Sequence, residues 1–309
     1  MKSKTNYIRI SGLLLFLAIF SYFHFSSGIR ELPQGPHIWG QADRYALSLG
    51  FIDNGFNFFL PQTYNLAPEY LPEKPLEKRE GITRVDFPVH SFIPALIMKI
   101  TSFRGPGVFR IYTLLFGIVG MILLYFIIYK LTLSDLWAAF VVAFALSMPA
   151  YTYYLSGTLP SVPSITFILA AVWTFIKFNE NKKYSFFYLT VFFLLMAALP
   201  RLHFTTFLIA FFLWRIWIFV KNKKLIFKEI IPLSIAFSVI IFYFFYNSWL
   251  QRKYGSVYLS KPMPPEGITD FFYIMKEILK RNFLKIFPPV HALIYIFLIT
   301  VFFIRLKKD

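Results

Sequence analysis

The acidic side chains of this 309-residue chain are concentrated in one stretch. Eight of the 15 Asp and Glu residues lie between positions 28 and 106: Glu31, Asp43, Asp53, Glu69, Glu73, Glu77, Glu80 and Asp86. Carboxylates and imidazoles are the groups that carry protons in general acid–base catalysis. There is no cysteine, which excludes thiol chemistry and disulfides. No two His have ligand spacing, so a four-His metal site is poorly supported. Gln41–Asp53 is predicted to be a short helix, with Tyr45, Leu49 and Ile52 on one face and Asn54-Gly55 as its stop. That start puts Asp43 in the first turn, where free backbone N–H groups favour a carboxylate. Asp86 precedes Phe87-Pro88 and a second apolar segment, Phe87–Phe103, predicted to lie along a membrane surface. Either acid could instead be a simple helix-start residue.

The elements that must hold these groups are set by composition. The chain is 57% hydrophobic and 21% aromatic, with 40 Phe, and only 15% charged, against about a quarter in soluble domains. This excludes a soluble enzyme and a disordered protein. Apolar stretches of the length that crosses about 30 Å of hydrocarbon occur at 8–27, 107–130, 136–155, 162–178, 185–200, 204–220, 230–249 and 290–304. The expected fold class is therefore an all-α integral membrane protein of about eight transmembrane helices, forming a single domain over 1–309. No small-residue cleavage site follows the first span, so it reads as a retained helix.

The net charge of +17 is mostly a topology signal. Lys2, Lys4 and Arg9, Lys130, Lys177 to Lys183, Lys221 to Lys228 and Arg305 to Lys308 all fall on one side if eight spans alternate. That side, and the N-terminus, is then cytoplasmic, and the charge does not call for nucleic acid. Two long segments, 28–106 and 250–289, lie outside, and loops of this length are usually functional. Within the second, Thr269–Ile286 places Phe272, Met275, Leu279 and Phe283 on one face with Lys276, Lys280 and Arg281 off it, a basic amphipathic surface helix. Glu69–Glu80 is mixed in charge and reads as solvated. His37, His90, His203 and His291 are also on the outer side, with His24 near it. No Asp or Glu falls inside an expected span, which argues against an ion-coupled transporter. Arg215 is the one formal charge well inside a span, and it can snorkel.

Three stretches carry a resemblance: Trp39-Gly40-Gln41-Ala42-Asp43, Asn54-Gly55-Phe56-Asn57-Phe58-Phe59-Leu60-Pro61 and Asp86-Phe87-Pro88. Over about 1–220 the layout resembles the GT-C class of membrane glycosyltransferases. The likeness is nearest to the bacterial group that includes protein-mannosyltransferase-like enzymes and the lipid A aminoarabinose transferase. The resemblance implies about seven core helices with two surface helices in the first outer loop. It implies transfer of a sugar from a polyprenyl-phosphate carrier to a lipid, glycan or protein acceptor, at the outer face of a bacterial inner membrane. Asp43 would be the general base or bind the acceptor, and Asp86 the second acid. Such a reaction also needs positive charge, or a divalent metal, opposite the leaving phosphate. Arg201 and His203, in Leu199-Pro200-Arg201-Leu202-His203, occupy a junction where relatives place a basic residue against that phosphate, and a guanidinium can donate two parallel hydrogen bonds to it. Trp39, Gln41 and Arg44 are the accompanying substrate-binding candidates, although Trp39 and Phe56–Phe59 also suit interfacial anchoring.

This sequence departs from the family pattern in two places. Many relatives have an acidic residue between spans three and four, whereas Gly157–Ser164 has none, so a metal held by that loop is not expected. Many relatives also continue into further helices or a soluble outer domain. The rival functions are a lipid or polysaccharide flippase or other transporter, which should show polar groups inside its spans, and a non-catalytic membrane scaffold, which would not need the acidic first loop.

Overall fold

The computed structural model describes residues 2–26, 28–35, 37–64, 80–223, 227–256, 265–280, 293–294 and 296. Across these residues the chain is helical and has no strand; a lone antiparallel bridge joins Gln62 to Ile82. The helices are α1 (Lys2–Phe25), α2 (Ile38–Asp53), α3 (Val89–Thr101), α4 (Pro106–Thr132), α5 (Asp135–Ser147), α6 (Pro149–Leu155), α7 (Ser161–Asn181), α8 (Tyr184–Ala198), α9 (Thr205–Asn222), α10 (Phe227–Tyr254) and α11 (Ile268–Ile278). A 3₁₀ turn, Leu202–Phe204, leads into α9.

Four helical stretches are long and apolar enough to cross a membrane: α4, α7, Leu202–Asn222 and α10. The α5–α6 pair makes a fifth if it is one broken span. Only 11% of the apolar window of Leu202–Asn222 and 17% of that of α10 is buried in the protein, against 44% for α4. The Phe, Trp and Ile side chains on α9 and α10 therefore form an apolar surface far larger than water tolerates on a monomer. Lipid is the solvent that suits it.

Of the remaining expected spans, the first falls on α1, which ends at Phe25 and whose apolar part is Ser11–Phe25, and 185–200 falls on α8, of 15 residues. The segment 290–304, which includes His291, lies outside the described residues apart from 293, 294 and 296, as does most of Glu69–Glu80. The expected single span 136–155 is corrected to two helices meeting at 78°. Pro149 opens α6, and a proline disfavours helical backbone in the residue before it, so Met148 is extended at φ −76° and ψ 116°. The second long segment starts later than expected because α10 runs to Tyr254, and the expected helix Thr269–Ile286 is seen as α11, with 281–286 outside the described residues.

Packing divides into three clusters. Leu13 and Leu17 of α1 meet Met121 of α4, Val142 and Leu146 of α5, Leu155 of α6 and Val162 of α7. Ala171 and Phe178 of α7 meet Phe187 and Leu194 of α8, Leu208 of α9 and Leu233 of α10. Phe51 and Ile52 of α2 meet Ala95 and Met98 of α3 and Phe109 and Tyr112 of α4. The α2–α3 pair is thus fixed on α4 by a core of its own, which gives the polar groups it carries a rigid base.

Candidate functional site

Helix α2 is the element that carries most of the site. It begins at Ile38, three residues before the expected start, because His37 turns the chain in the left-handed region (φ 55°) and its Nδ1 hydrogen-bonds the Tyr154 hydroxyl. Asp43 is therefore not in the first turn, which has no acidic residue; it lies in the second, and the helix-terminus argument for its charge falls away. The stop is where the sequence placed it. Gly55 adopts φ 75°, Asn54 N–H donates to Gly50 O at 3.0 Å and Phe56 N–H reaches back to Phe51 O at 2.9 Å. Gly50 matters for a different reason: a Cβ there would sit 2.0 Å from the Gln62 carbonyl oxygen, so no larger residue lets the 61–63 segment cross α2.

The central contact joins two of the candidate residues. Arg44 Nη2 donates to Asp86 Oδ2 at 2.7 Å, across 42 residues of sequence, and the Arg44 side chain is only 5% exposed. Asp86 is thus an ion-pair partner and not a cap of α3, whose cap position is Pro88. Asp43 precedes Arg44 on α2, is buried, and is engaged by neighbouring groups, as is Arg201. The Phe87 N–H donates to Leu199 O at 3.2 Å, which ties the Asp86 segment to the turn that carries Arg201 and His203. The Asp86 and Arg201 charges both act on the His203 ring, and Arg201 also acts on Tyr154. Asp86 and three guanidiniums (Arg44, Arg84, Arg201) are therefore gathered at the α2–α3 end of the helices, with Asp43 the residue before Arg44 on α2.

Several supporting groups have no signal in a single sequence. Val85 O accepts from Asn247 Nδ2 at 2.9 Å and from Tyr243 OH at 3.1 Å, both on α10. Arg84 hydrogen-bonds Gln251, and Thr83 Oγ1 lies 2.5 Å from Ser256 Oγ. Burial pulls the Arg84 guanidinium below its usual value while the Asp86 charge acts the other way. The segment 83–87 is consequently fastened to α10 along its length, and Asp86 is held from behind. On the other flank, Ser48 Oγ donates to Ser91 O at 2.8 Å, joining α2 to α3. His90 Nδ1 pairs with Tyr112 OH at 2.6 Å, and burial, helped by the Arg44 charge, pushes its imidazole down to about 3. His90 is therefore neutral at ordinary pH and serves as a wall, not an acid.

Gln41 and Trp39 behave differently from each other. Gln41 is buried; its Nε2 donates to Tyr153 OH at 3.0 Å, its Oε1 accepts from Thr158 N at 3.4 Å, and its carbonyl accepts from Thr158 Oγ1 at 2.7 Å. It binds α2 to the α6–α7 junction. Trp39, at 74% exposed, is free of the core and keeps the anchoring role open. Among the described residues no three His, Asp or Glu side chains come together as a metal site. Arg215 does not snorkel: its Nε donates to Glu229 Oε2 at 2.7 Å, with the Glu229 side chain buried and that of Arg215 largely so between α9 and α10. Glu229 belongs to α10 because that helix starts before the expected span.

Comparison of the chain with protein-family models, with curated proteins and with solved structures found no match.

Proposed function

We propose that this chain is a GT-C-like membrane glycosyltransferase that moves a sugar from a polyprenyl-phosphate carrier to an acceptor at the outer face of a bacterial inner membrane. The observation that carries this is the Arg44–Asp86 ion pair beside the Arg201–His203 turn, since it draws together groups that one transfer reaction requires. In the proposed reaction Asp43 takes the proton of the acceptor hydroxyl, the hydroxyl oxygen bonds to the anomeric carbon, and the carbon–phosphate oxygen bond breaks with its electron pair leaving on the phosphate. Arg201 and His203 face that phosphate, and the Arg44–Asp86 pair fixes the loop that carries both acids. Eight spans with a cytoplasmic N-terminus complete the topology.

Reconstitution with radiolabelled polyprenyl-phosphate sugars tests the reaction, scored as label transferred to an added lipid or glycan. Transfer that disappears in Asp43→Asn supports the assignment; no transfer from any donor overturns it. Orientation is tested separately, on a chain without native cysteine. An impermeant thiol reagent should label Lys99→Cys in intact spheroplasts and leave Asn181→Cys untouched, both positions being exposed. A second function, a transporter, is favoured by one observation, the buried Arg215–Glu229 pair within the helices. Flipping of a labelled lipid in proteoliposomes without sugar transfer would select it.

A further inference from the structure

Two cavities adjoin at the break between α5 and α6. One, of about 390 Å³, follows the apolar faces of α1 and α5 past Phe16, Phe20, Ala143 and Leu146. The other, of about 330 Å³, lies at the helix ends among Glu31, Gln34, Gln41, Arg110 and Tyr153. His24, Pro149 and Thr152 line both, so apolar and polar parts form one lateral groove. The 78° bend opens it, because α6 turns out of the path that a straight α5 would have filled.

The polar end has a definite chemical preference. Arg110 is its guanidinium, yet Nε, Nη1 and Nη2 donate to the carbonyls of Glu31, Ser156 and Leu32 at 3.1, 3.1 and 3.2 Å. Its nitrogens are directed at the backbone. The Glu31 carboxylate, by contrast, is exposed, with the Gln34 amide at 3.5 Å. A carboxylate accepts hydrogen bonds from hydroxyls and repels a phosphate, and its charge offsets that of the nearby Arg110, so this end has no net positive charge to draw an anionic head. The other polar lining groups are the His24 imidazole and several amides and hydroxyls.

We propose that this groove binds a membrane lipid with an uncharged, hydroxyl-rich head group, one hydrocarbon chain lying between α1 and α5 and the head resting against Glu31. Gln41, at the inner edge, is three residues from Arg44, about 4.5 Å along the helix. A lipid seated here presents its hydroxyls to the Asp43–Asp86 site and is the sugar acceptor; that last role rests on the glycosyltransferase reading, whereas the binding does not.

The test uses the full chain in nanodiscs with equal amounts of monoglucosyl-dioleoylglycerol and dioleoylphosphatidylglycerol. The protein is re-extracted in mild detergent, and the retained lipid is measured by mass spectrometry. The glucolipid should be retained about ten-fold over the phosphatidylglycerol, a difference of about 1.4 kcal/mol. Ala143→Trp, at an exposed position where a ring fills the groove without crowding the core, should abolish the excess. Glu31→Lys should turn it toward phosphatidylglycerol. Equal retention, or an excess that survives Ala143→Trp, means annular lipid only and overturns the site. Selective retention without sugar transfer keeps the site and removes the acceptor role. Transfer without selective retention removes the groove and leaves the transferase reading intact.

Discussion

Two Arg–carboxylate ion pairs sit in different surroundings. Arg215–Glu229 joins neighbouring helices α9 and α10, and the Arg215 guanidinium lies 5.2 Å from the centre of the Trp214 ring and 5.9 Å from that of Phe187. The void beside it is small, about 50 Å³, and otherwise lined by aliphatic and aromatic groups such as Phe212, Ile216 and Leu233. Arg44–Asp86 joins segments 42 residues apart, with His90, Arg84, Tyr243, His203 and Arg201 within electrostatic reach of one partner or through them of each other. A pair alone in an apolar setting adds little net stability, because its desolvation cost consumes most of its attraction. A pair embedded among further charges and donors fixes geometry where charge can move.

The largest effect should separate the two regions by activity. Asp43→Asn keeps size and hydrogen bonding, and transfer should fall by about 10²–10⁴ while the protein still inserts and purifies; activity preserved within a few-fold leaves Asp86 as the remaining acid. The α9–α10 pair should respond in stability instead. Glu229→Gln strands the Arg215 charge and should cost about 3–5 kcal/mol in a denaturation series, and the double change Arg215→Met with Glu229→Leu should return most of it. The same double replacement at Arg44 and Asp86 should not restore transfer, and recovery there would erase the distinction. Next, Arg201→Lys should keep part of the activity and Arg201→Ala far less, since the charge survives in the first but the planar fork does not; equal activity in both would make Arg201 an anchor.

The smallest effects come from groups flanking the site. The His90 imidazole is held near 3, against about 6.5 in an unfolded chain, so the unfolded state binds the extra proton as pH falls. Its contribution is fully present above about 6.5 and is lost toward 3. At pH 5 the loss should be about 2 kcal/mol, visible as a lower melting temperature, and His90→Gln should flatten that slope. Asp53→Asn removes the charge from the exposed 3.0 Å pair with Arg104 and from the carboxylate that accepts from Tyr64 OH, and both stability and transfer should change little, by less than about 1 kcal/mol.

How much of this was legible in the sequence depends on the range of the contact. Apolar length gave α4, α7, α9 and α10, and Asn54-Gly55 gave the end of α2, because hydropathy and turn chemistry act locally. The start of α2 was missed, since it depends on His37 reaching Tyr154, 117 residues away. The break at Met148-Pro149 was written in the sequence but was outweighed by twenty apolar residues of suitable length. Asp43 and Asp86 were legible as chemical types in a long outer segment, and Arg201 as a guanidinium at the junction of two spans. That Asp86 would pair with Arg44, and that Asn247 and Tyr243 would hold Val85 from about 160 positions away, was not, because a single chain carries no record of which distant side chains meet.

The shortness of α8 has a consequence for the membrane itself. Its 15 residues rise about 22 Å, while a hydrocarbon core is about 30 Å thick. In the topology proposed here the chain must nevertheless cross at α8, and it ends in Leu199-Pro200-Arg201. In that topology the bilayer is drawn in around this helix, at fractions of a kcal/mol per Å. On the proposed reading, a lipid-borne phosphate would dock where the membrane is thinned, and thicker bilayers should work against transfer.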